Sequence, residues 1–156
     1  MKEELVVKKL IENNETISSM ESCTAGYFAT TLTNVDGSSS ILKYSAITYS
    51  NEFKIRMGVP KEIIDKYTVY SIETSVSMAE EISKFSSSTY GVGITGQIGR
   101  LDPENNTGNL NEIFVTIYNS KTNDYHSFIV NTKFHDRLEC KKEIVDKILD
   151  ELLTIL

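Results

Sequence analysis

The sequence predicts an α/β fold in which a mixed sheet is covered by helices on both faces, and three observations carry that expectation. Segments with helical spacing of apolar residues alternate with β-rich segments from Leu5 to Thr95. Two further β-rich runs follow, joined by Asn119-Ser120-Lys121-Thr122-Asn123-Asp124, which predicts a hairpin and hence an antiparallel element. The 156 residues suit one domain, residues 1–156, and 40% hydrophobic with 24% charged residues is ordinary globular composition.

Taken in order, Leu5, Val6, Leu10 and Ile11 fall at helical spacing, so a first helix is expected over residues 3–13, stopped near Asn13-Asn14. A short strand is expected over 16–20. Tyr27, Phe28, Thr31 and Leu32 lie on one side of a second helix that ends before the turn sequence Asp36-Gly37-Ser38. Residues 41–49 are rich in β-formers and predict a strand. Asn51 sits at a capping position for a short helix over 52–57, stopped at Gly58 with Pro60 just beyond, and a second short helix covers 61–66. Ser71, with Glu73 in the first turn, starts a longer helix through Met78, Ile82 and Phe85 that ends in Ser86-Ser87-Ser88. Residues 90–95, with alternating Val92 and Ile94, read as a buried strand, and 96–109 as a loop holding Gly96, Gly99, Pro103 and Gly108. Strands over 113–118 and 125–130 precede a last helix. Its Leu138, Ile144, Val145, Ile148, Leu149, Leu152 and Ile155 form one broad apolar face.

Composition excludes several classes of function. A net charge of −6 opposes gripping a phosphate backbone, so nucleic acid is not an expected partner, while a small anionic ligand in a local pocket is compatible with it. The N-terminal Met-Lys-Glu-Glu-Leu-Val-Val lacks the apolar core of a signal peptide, and no stretch approaches the ~20 apolar residues of a membrane span. A cytoplasmic protein without a membrane partner is expected. Cys23 and Cys140, the only cysteines, form neither a metal pattern nor a disulfide framework.

Chemistry concentrates where predicted strands end. In such sheets ligands gather beyond the C-terminal strand ends, and the Ser22 turn, the Tyr49 to Asn51 corner and the Thr95-Gly96 corner all follow predicted strands. Met20-Glu21-Ser22-Cys23-Thr24-Ala25-Gly26 closes a strand and opens a helix, where free backbone N–H groups and partial positive charge favour an anion or an oxyanion. Ser22 and Thr24 at such a place also fit plain capping. Lys54 in the first turn of a helix opposes the macrodipole, which lowers its pKa somewhat and makes a neutral, basic amine easier to reach if the site is also dry; a solvated surface lysine is the other reading. Ser22 with Lys54 makes a nucleophile and base pair of a known kind. Cys23 is a rival nucleophile with no feature that depresses its pKa, and His126 and His135 lie away from the strand-end corners.

These residues together resemble the CinA C-terminal domain family, whose characterised members are nicotinamide-nucleotide amidases. The pattern Glu-Ser-Cys-Thr-Gly-Gly appears as Glu21-Ser22-Cys23-Thr24-Ala25-Gly26, followed by Asp36-Gly37-Ser38-Ser39. Tyr-Ser-Asn-x-x-Lys is intact at Tyr49, Ser50, Asn51 and Lys54; Val-Ser-x-Glu becomes Tyr70-Ser71-Ile72-Glu73; Gly-Asp-Arg becomes His135-Asp136-Arg137. The resemblance implies a three-layer α/β/α sandwich with a mixed, mostly parallel five-stranded sheet, self-association into a homo-oligomer, and no metal or organic cofactor. It implies deamidation of nicotinamide mononucleotide, a small-molecule nucleotide substrate, to the nicotinate form with release of ammonia. Ser22 would attack the carboxamide, Lys54 would act as base, and Tyr49 would hydrogen-bond within the dyad. Glu21, Cys23, Thr24, Gly26, Asn51, Thr95, Gly96 and Arg137 would surround the substrate, with N–H groups near Thr24 holding the oxyanion. The departures fall in one region: Thr-Gly-x-Ala-Gly-Pro is Thr95-Gly96-Gln97-Ile98-Gly99-Arg100, and the glycine-rich loop ending in Lys-Pro-x-Gly-Thr-Val is Asn105 to Glu112. Ile98, Arg100 and Glu112 are expected to reshape the wall opposite the dyad. A nucleotide-binding or regulatory domain that turns over poorly is the alternative reading.

Overall fold

Side chains alternate along the strands between a broad apolar face and a narrow face of small residues, and that difference sets the layers of the molecule. The computed structural model describes residues 1–156. Strands β1 (Ile17–Glu21), β2 (Leu42–Ile47), β3 (Tyr90–Gly96), β4 (Glu112–Asn119) and β5 (Asp124–Asn131) form one sheet in the order β2-β1-β3-β4-β5. β1 pairs in parallel with both β2 and β3, while β4 runs antiparallel to β3 and β5. Four strands therefore point one way and β4 opposes them, with the predicted hairpin joining β4 to β5.

On the apolar face, Val92, Ile94, Ile113, Val115 and Ile117 pack with α1 (Lys2–Asn13), α2 (Tyr27–Thr33) and α6 (Arg137–Ile155) through Val6, Leu10, Phe28, Ile144 and Ile148. The opposite face carries α5 (Ile72–Ser86), whose backbone lies directly on β3 because Gly91 and Gly93 have no side chains. A Cβ on Gly91 would stand 2.0 Å from the Ala79 carbonyl oxygen, and one on Gly93 2.3 Å from that of Ser75. Hydroxyls fill the remaining space: Ser75 Oγ meets Thr116 Oγ1 at 2.7 Å, and Ser86 Oγ donates to Ser18 Oγ at 2.7 Å. Short helices α3 (Asn51–Arg56) and α4 (Lys61–Tyr67) bridge from β2 to α5, over a second apolar cluster of Met20, Val59, Met78 and Ile82. No helix is long and apolar enough to cross a membrane.

Several sequence expectations shift at element edges. Leu5 and Ile11 flank the buried stripe of α1 and are exposed, while Val7 joins Val6 and Leu10 inside. Phe85 is exposed on α5 and lies against Tyr44, with ring centroids 5.3 Å apart. Leu138 and Ile155, at the two ends of α6, run past the edge of the core and face solvent. β2 ends at Ile47, which leaves Thr48 to Ser50 as an extended corner. Ser50, not Asn51, caps α3, its Oγ accepting from Phe53 N–H at 3.2 Å. Pro60 opens α4 rather than trailing α3.

Register then gathers the three corners. Glu21 at the end of β1 stands opposite Ile47 of β2 and Ile94 of β3, so Ser22 lies level with Thr48 and Thr95 at one rim of the sheet. Beyond β1 the chain reverses in a turn closed by Ala25 N–H donating to the Ser22 carbonyl at 3.0 Å. Ala25 has φ 47° and Gly26 φ 91°, two successive left-handed residues. Gly26 adopts this freely, but alanine does not, which explains why the family pattern carries glycine at position 25.

Ala25→Gly should raise stability by about 1 kcal/mol, read as an upward shift of the urea midpoint at unchanged slope. A lower midpoint would mean that the Ala25 methyl makes contacts worth more than the backbone strain. Gly91→Ala should lower stability by at least about 2 kcal/mol in the same measurement, since its methyl meets backbone rather than a side chain that can move.

Candidate active site

The site is built on a buried carboxylate. Glu21, at the last position of β1, is fully enclosed and accepts hydrogen bonds on both oxygens. Thr24 Oγ1 donates to Oε1 at 2.6 Å, as do Gly26 N–H at 3.2 Å and Phe28 N–H at 3.1 Å; Ala29 N–H donates to Oε2 at 3.1 Å and Ser19 Oγ at 3.2 Å. Here the carboxylate fills the N-terminus of α2, as a negative group there should. This corrects two expectations. Glu21, Thr24 and Gly26 hold the turn from beneath instead of lining the pocket, and the first N–H groups of α2 are taken by Glu21 and so are closed to an oxyanion. The N–H groups that stay without a protein acceptor are those of Cys23 and Thr24, immediately after Ser22.

Ser22 is held above this turn, its N–H donating to the Ile94 carbonyl at 3.0 Å. Lys54 approaches it from α3. The Lys54 Nζ donates to Ser22 Oγ at 3.1 Å and to the Thr48 carbonyl at 2.7 Å, and the residue is only 2% exposed. Burial holds the amine down from 10.5 to about 8, against the smaller opposing influence of Cys23 and Asp102. Desolvation, the dryness that the sequence reading asked for, is the main cause of the shift; Lys54 sits four residues past the Ser50 cap in a helix of six residues. Cys23 lies beside this pair but is enclosed, and burial pushes its thiol up to about 12, which keeps it protonated and a poor nucleophile.

Ser22 opens onto a cavity of about 240 Å³ walled by Tyr49, Tyr70, Gly96, Arg137 and the segment from Gln97 to Pro103. Tyr49 faces this cavity but is 61% exposed, and its hydroxyl accepts from Arg137 Nη2 at 3.1 Å. The expected hydrogen bond from Tyr49 into the dyad is absent, because the phenol projects outward from the strand-end corner toward α6. Arg137, the first residue of α6, also donates through Nη1 to the Ile98 carbonyl. Thr95 is buried away from the cavity, its hydroxyl donating to the Val69 carbonyl at 3.0 Å. Gly96 does line the cavity; a Cβ there would stand 2.5 Å from Ile113 Cδ1.

Asn51 takes part in a network that the sequence did not reveal. Its Nδ2 donates to Asn105 Oδ1 at 2.9 Å, Asn105 Nδ2 donates to Asp102 Oδ2 at 3.0 Å, and Tyr70 OH donates to the same oxygen at 2.8 Å. Gln97 anchors the base of the loop, accepting from Asp102 N–H at 2.8 Å on Oε1 and donating through Nε2 to the Thr107 carbonyl at 2.9 Å. The bond from Asn105, with those from Glu104 N–H and Tyr70, holds the Asp102 carboxyl below its ordinary range, while burial and then the Asp102 bond raise the Tyr70 phenol. Tyr70 is itself a departure from the family pattern, and its partner Asp102 lies in the altered loop; the spacing of polar residues in that loop carried no signal of the pairing. Glu112 begins β4 and does not line the cavity. Of the histidines, His126 is paired with Glu151 at 2.6 Å on the far side of the sheet.

Comparison with known proteins gives the family and the fold. Over 98 residues, 62% of its length, the chain is 46% identical to a Clostridium botulinum (strain Langeland) protein and 40% identical to one from Acetivibrio thermocellus, both carrying competence-damage inducible protein in their names. The matched part is 24% of each relative's length. Among solved structures, the competence or damage-inducible protein of Enterobacter asburiae superposes with a TM-score of 0.90 at 19% identity, covering 99% of this chain and 95% of that one. The competence/damage inducible protein CihA of Agrobacterium tumefaciens gives 0.85 at 23% identity with the same coverage. At such identities these structures show the shared fold. The profile of the CinA C-terminal domain matches residues 1–156, end to end, and the chain belongs to that family.

Proposed function

We propose that the domain is an amidohydrolase that deamidates nicotinamide mononucleotide to nicotinate mononucleotide and ammonia through a Ser22–Lys54 dyad. The observation that carries this reading is the buried Lys54 Nζ, 3.1 Å from Ser22 Oγ, with its pKa brought down to about 8 by desolvation. A general base serves best with a pKa near the working pH, and removal from water brings a lysine into that range.

The steps follow from the arrangement. Neutral Lys54 Nζ removes the proton from Ser22 Oγ as the oxygen bonds to the carboxamide carbon. Negative charge moves to the carboxamide oxygen, where the free N–H of Cys23, next to Ser22 in the cavity wall, receives it, a contact of a kind that contributes ~3–4 kcal/mol in other acyl-transfer enzymes. Lys54, now an ammonium, gives its proton to the departing nitrogen, the C–N bond breaks, and ammonia leaves an ester on Ser22. A water molecule, deprotonated in turn by Lys54, attacks the ester, and the carboxylic acid departs with Ser22 restored. Tyr49 and Tyr70 offer aromatic walls to a pyridine ring, and Arg137 orients Tyr49. The Thr48 carbonyl competes for the protonated amine and keeps Nζ aimed at Ser22 in both protonation states.

Incubation with nicotinamide mononucleotide should release ammonia and nicotinate mononucleotide in equal amounts, and Ser22→Ala should remove that release. Ammonia from the parent no faster than from Ser22→Ala would overturn the assignment. The rate should also rise with pH through a single ionisation near 8, as the Lys54 ammonium loses its proton. The sign for stability runs the same way. With the folded value below the ordinary 10.5, the charged amine opposes folding fully below about pH 8, and this cost fades as pH climbs toward 10.5. Lys54→Met should therefore abolish turnover yet unfold at no lower urea concentration than the parent at pH 7. A flat pH profile from 6 to 9 would remove Lys54 from the base role.

A further inference from the structure

We propose that Arg100 selects the substrate by charge, its guanidinium joining Arg137 to receive a phosphate monoester at the mouth of the Ser22 cavity. The proposal rests on the amidase reading for the identity of the reacting group and extends it to what lies at the substrate's other end.

The charges around the cavity are unbalanced in a way the fold leaves open. Two guanidinium groups, Arg100 and Arg137, and one carboxylate, Asp102, line it. Asp102 neutralises neither arginine, because its oxygens are already committed: Oδ1 accepts from Glu104 N–H at 2.9 Å, and Oδ2 accepts from Tyr70 OH and Asn105 Nδ2. Arg137 spends one nitrogen on the Ile98 carbonyl and one on Tyr49 OH, which fixes its plane and leaves other N–H donors of its fork free. Arg100 makes no side-chain hydrogen bond and no ion pair within the chain. Its position is nonetheless defined, since its N–H donates to the Ile98 carbonyl at 2.9 Å and Gly99 brings the loop close against the Arg137 side chain. Two forks on adjoining supports, one anchored and one unspent, suit a tetrahedral dianion better than a planar neutral group.

The neighbouring surface sets the direction. On the other side of Tyr49 lies a second cavity of about 290 Å³ walled by Asn51, Asp102, Glu104 and Asn105, which contains carboxylates and no cation. A phosphate is repelled there and attracted toward Arg100. The Ser22 cavity is about 240 Å³, below the ~300–1,000 Å³ that encloses a drug-sized ligand, so it admits the amide-bearing ring and leaves a substituent at the mouth. With a net charge of −6 the chain as a whole repels anions, so affinity for one must come from a local pair of this kind.

The test uses calorimetry on Ser22→Ala, which binds without turnover, and on Ser22→Ala combined with Arg100→Gln. In the first protein, nicotinamide mononucleotide should bind about tenfold to a hundredfold more tightly than its riboside, the range that charge-assisted bonds to one guanidinium give. Arg100→Gln should remove most of that ratio while leaving the riboside affinity within about twofold, below the ~0.5 kcal/mol typical of a neutral surface change. Equal affinity for the two ligands, or a ratio that survives Arg100→Gln, overturns the proposal. Ribose 5-phosphate and ribose, which carry no amide, provide a second arm. Arg100-dependent binding of ribose 5-phosphate alongside an absence of ammonia from nicotinamide mononucleotide keeps the anion site and discards the amidase reading. Ammonia release with no phosphate preference in either arm does the reverse.

Discussion

The buried carboxylate of Glu21 is the interaction on which the site depends. A strand that ends in a parallel sheet normally hands its chain to a helix whose first N–H groups are free, and here those groups converge on Glu21 from inside the protein. Hydrogen bonds to a charged group contribute about 1.5–3 kcal/mol each. Five of them on one side chain therefore offset the cost of burying the charge and fix the turn through two successive left-handed residues, Ala25 and Gly26. Ser22 stands at the head of that turn. The cage fixes the backbone on which Ser22 stands, so the place of the nucleophile is inherited from a residue that the cavity never touches, while Lys54 Nζ engages its hydroxyl.

Lys54 illustrates the same division between support and chemistry. Its helix has six residues and gives little intrinsic rigidity, yet Ser50 caps it and its amine is fixed at two points, on Thr48 and on Ser22. Parallel register places Thr48 directly beside Ser22, because β1 and β2 end together at Glu21 and Ile47. Burial then does to the lysine what no charged neighbour does: it makes the neutral form accessible near pH 8. The cost of an enclosed ammonium is borne by the packing of the rest of the molecule, where α5 lies directly on β3 at Gly91 and Gly93.

Much of this was legible in the sequence, and the limits have physical causes. The alternation of segments, the hairpin and the three polar strand-end corners follow from periodicity and turn residues, which are local signals; that the corners meet at one rim depends on strand order and register. Ser22 and Lys54 were both identifiable as candidates, Ser22 because its turn sets a hydroxyl beside free N–H groups although serine commonly only caps there, and Lys54 because a cation early in a helix opposes the dipole. What the sequence concealed depends on direction in space. Tyr49 was placed within the dyad, but its phenol meets Arg137, 88 positions later. Asn51 looked like a cap and instead bonds Asn105, because Ser50 one residue earlier does the capping. Glu21 was expected at the substrate, although a strand-terminal carboxylate followed by a helix start is, in retrospect, positioned to cap it.

The altered loop shows why chemistry and selection can part company within one family. Ser22, Lys54 and their supports belong to β1, β2 and the elements next to them, which are locked by register and by the Glu21 cage. The segment from Gln97 to Asn111 has no ladder to hold it. It takes its shape from side chains, with Gln97 at its base and Asp102 pinned between Tyr70 and Asn105. Asp102 gathers three donors, Asn105 Nδ2, Glu104 N–H and Tyr70 OH, so its carboxylate is held within the loop and the arginines at the mouth of the cavity receive no partner from it.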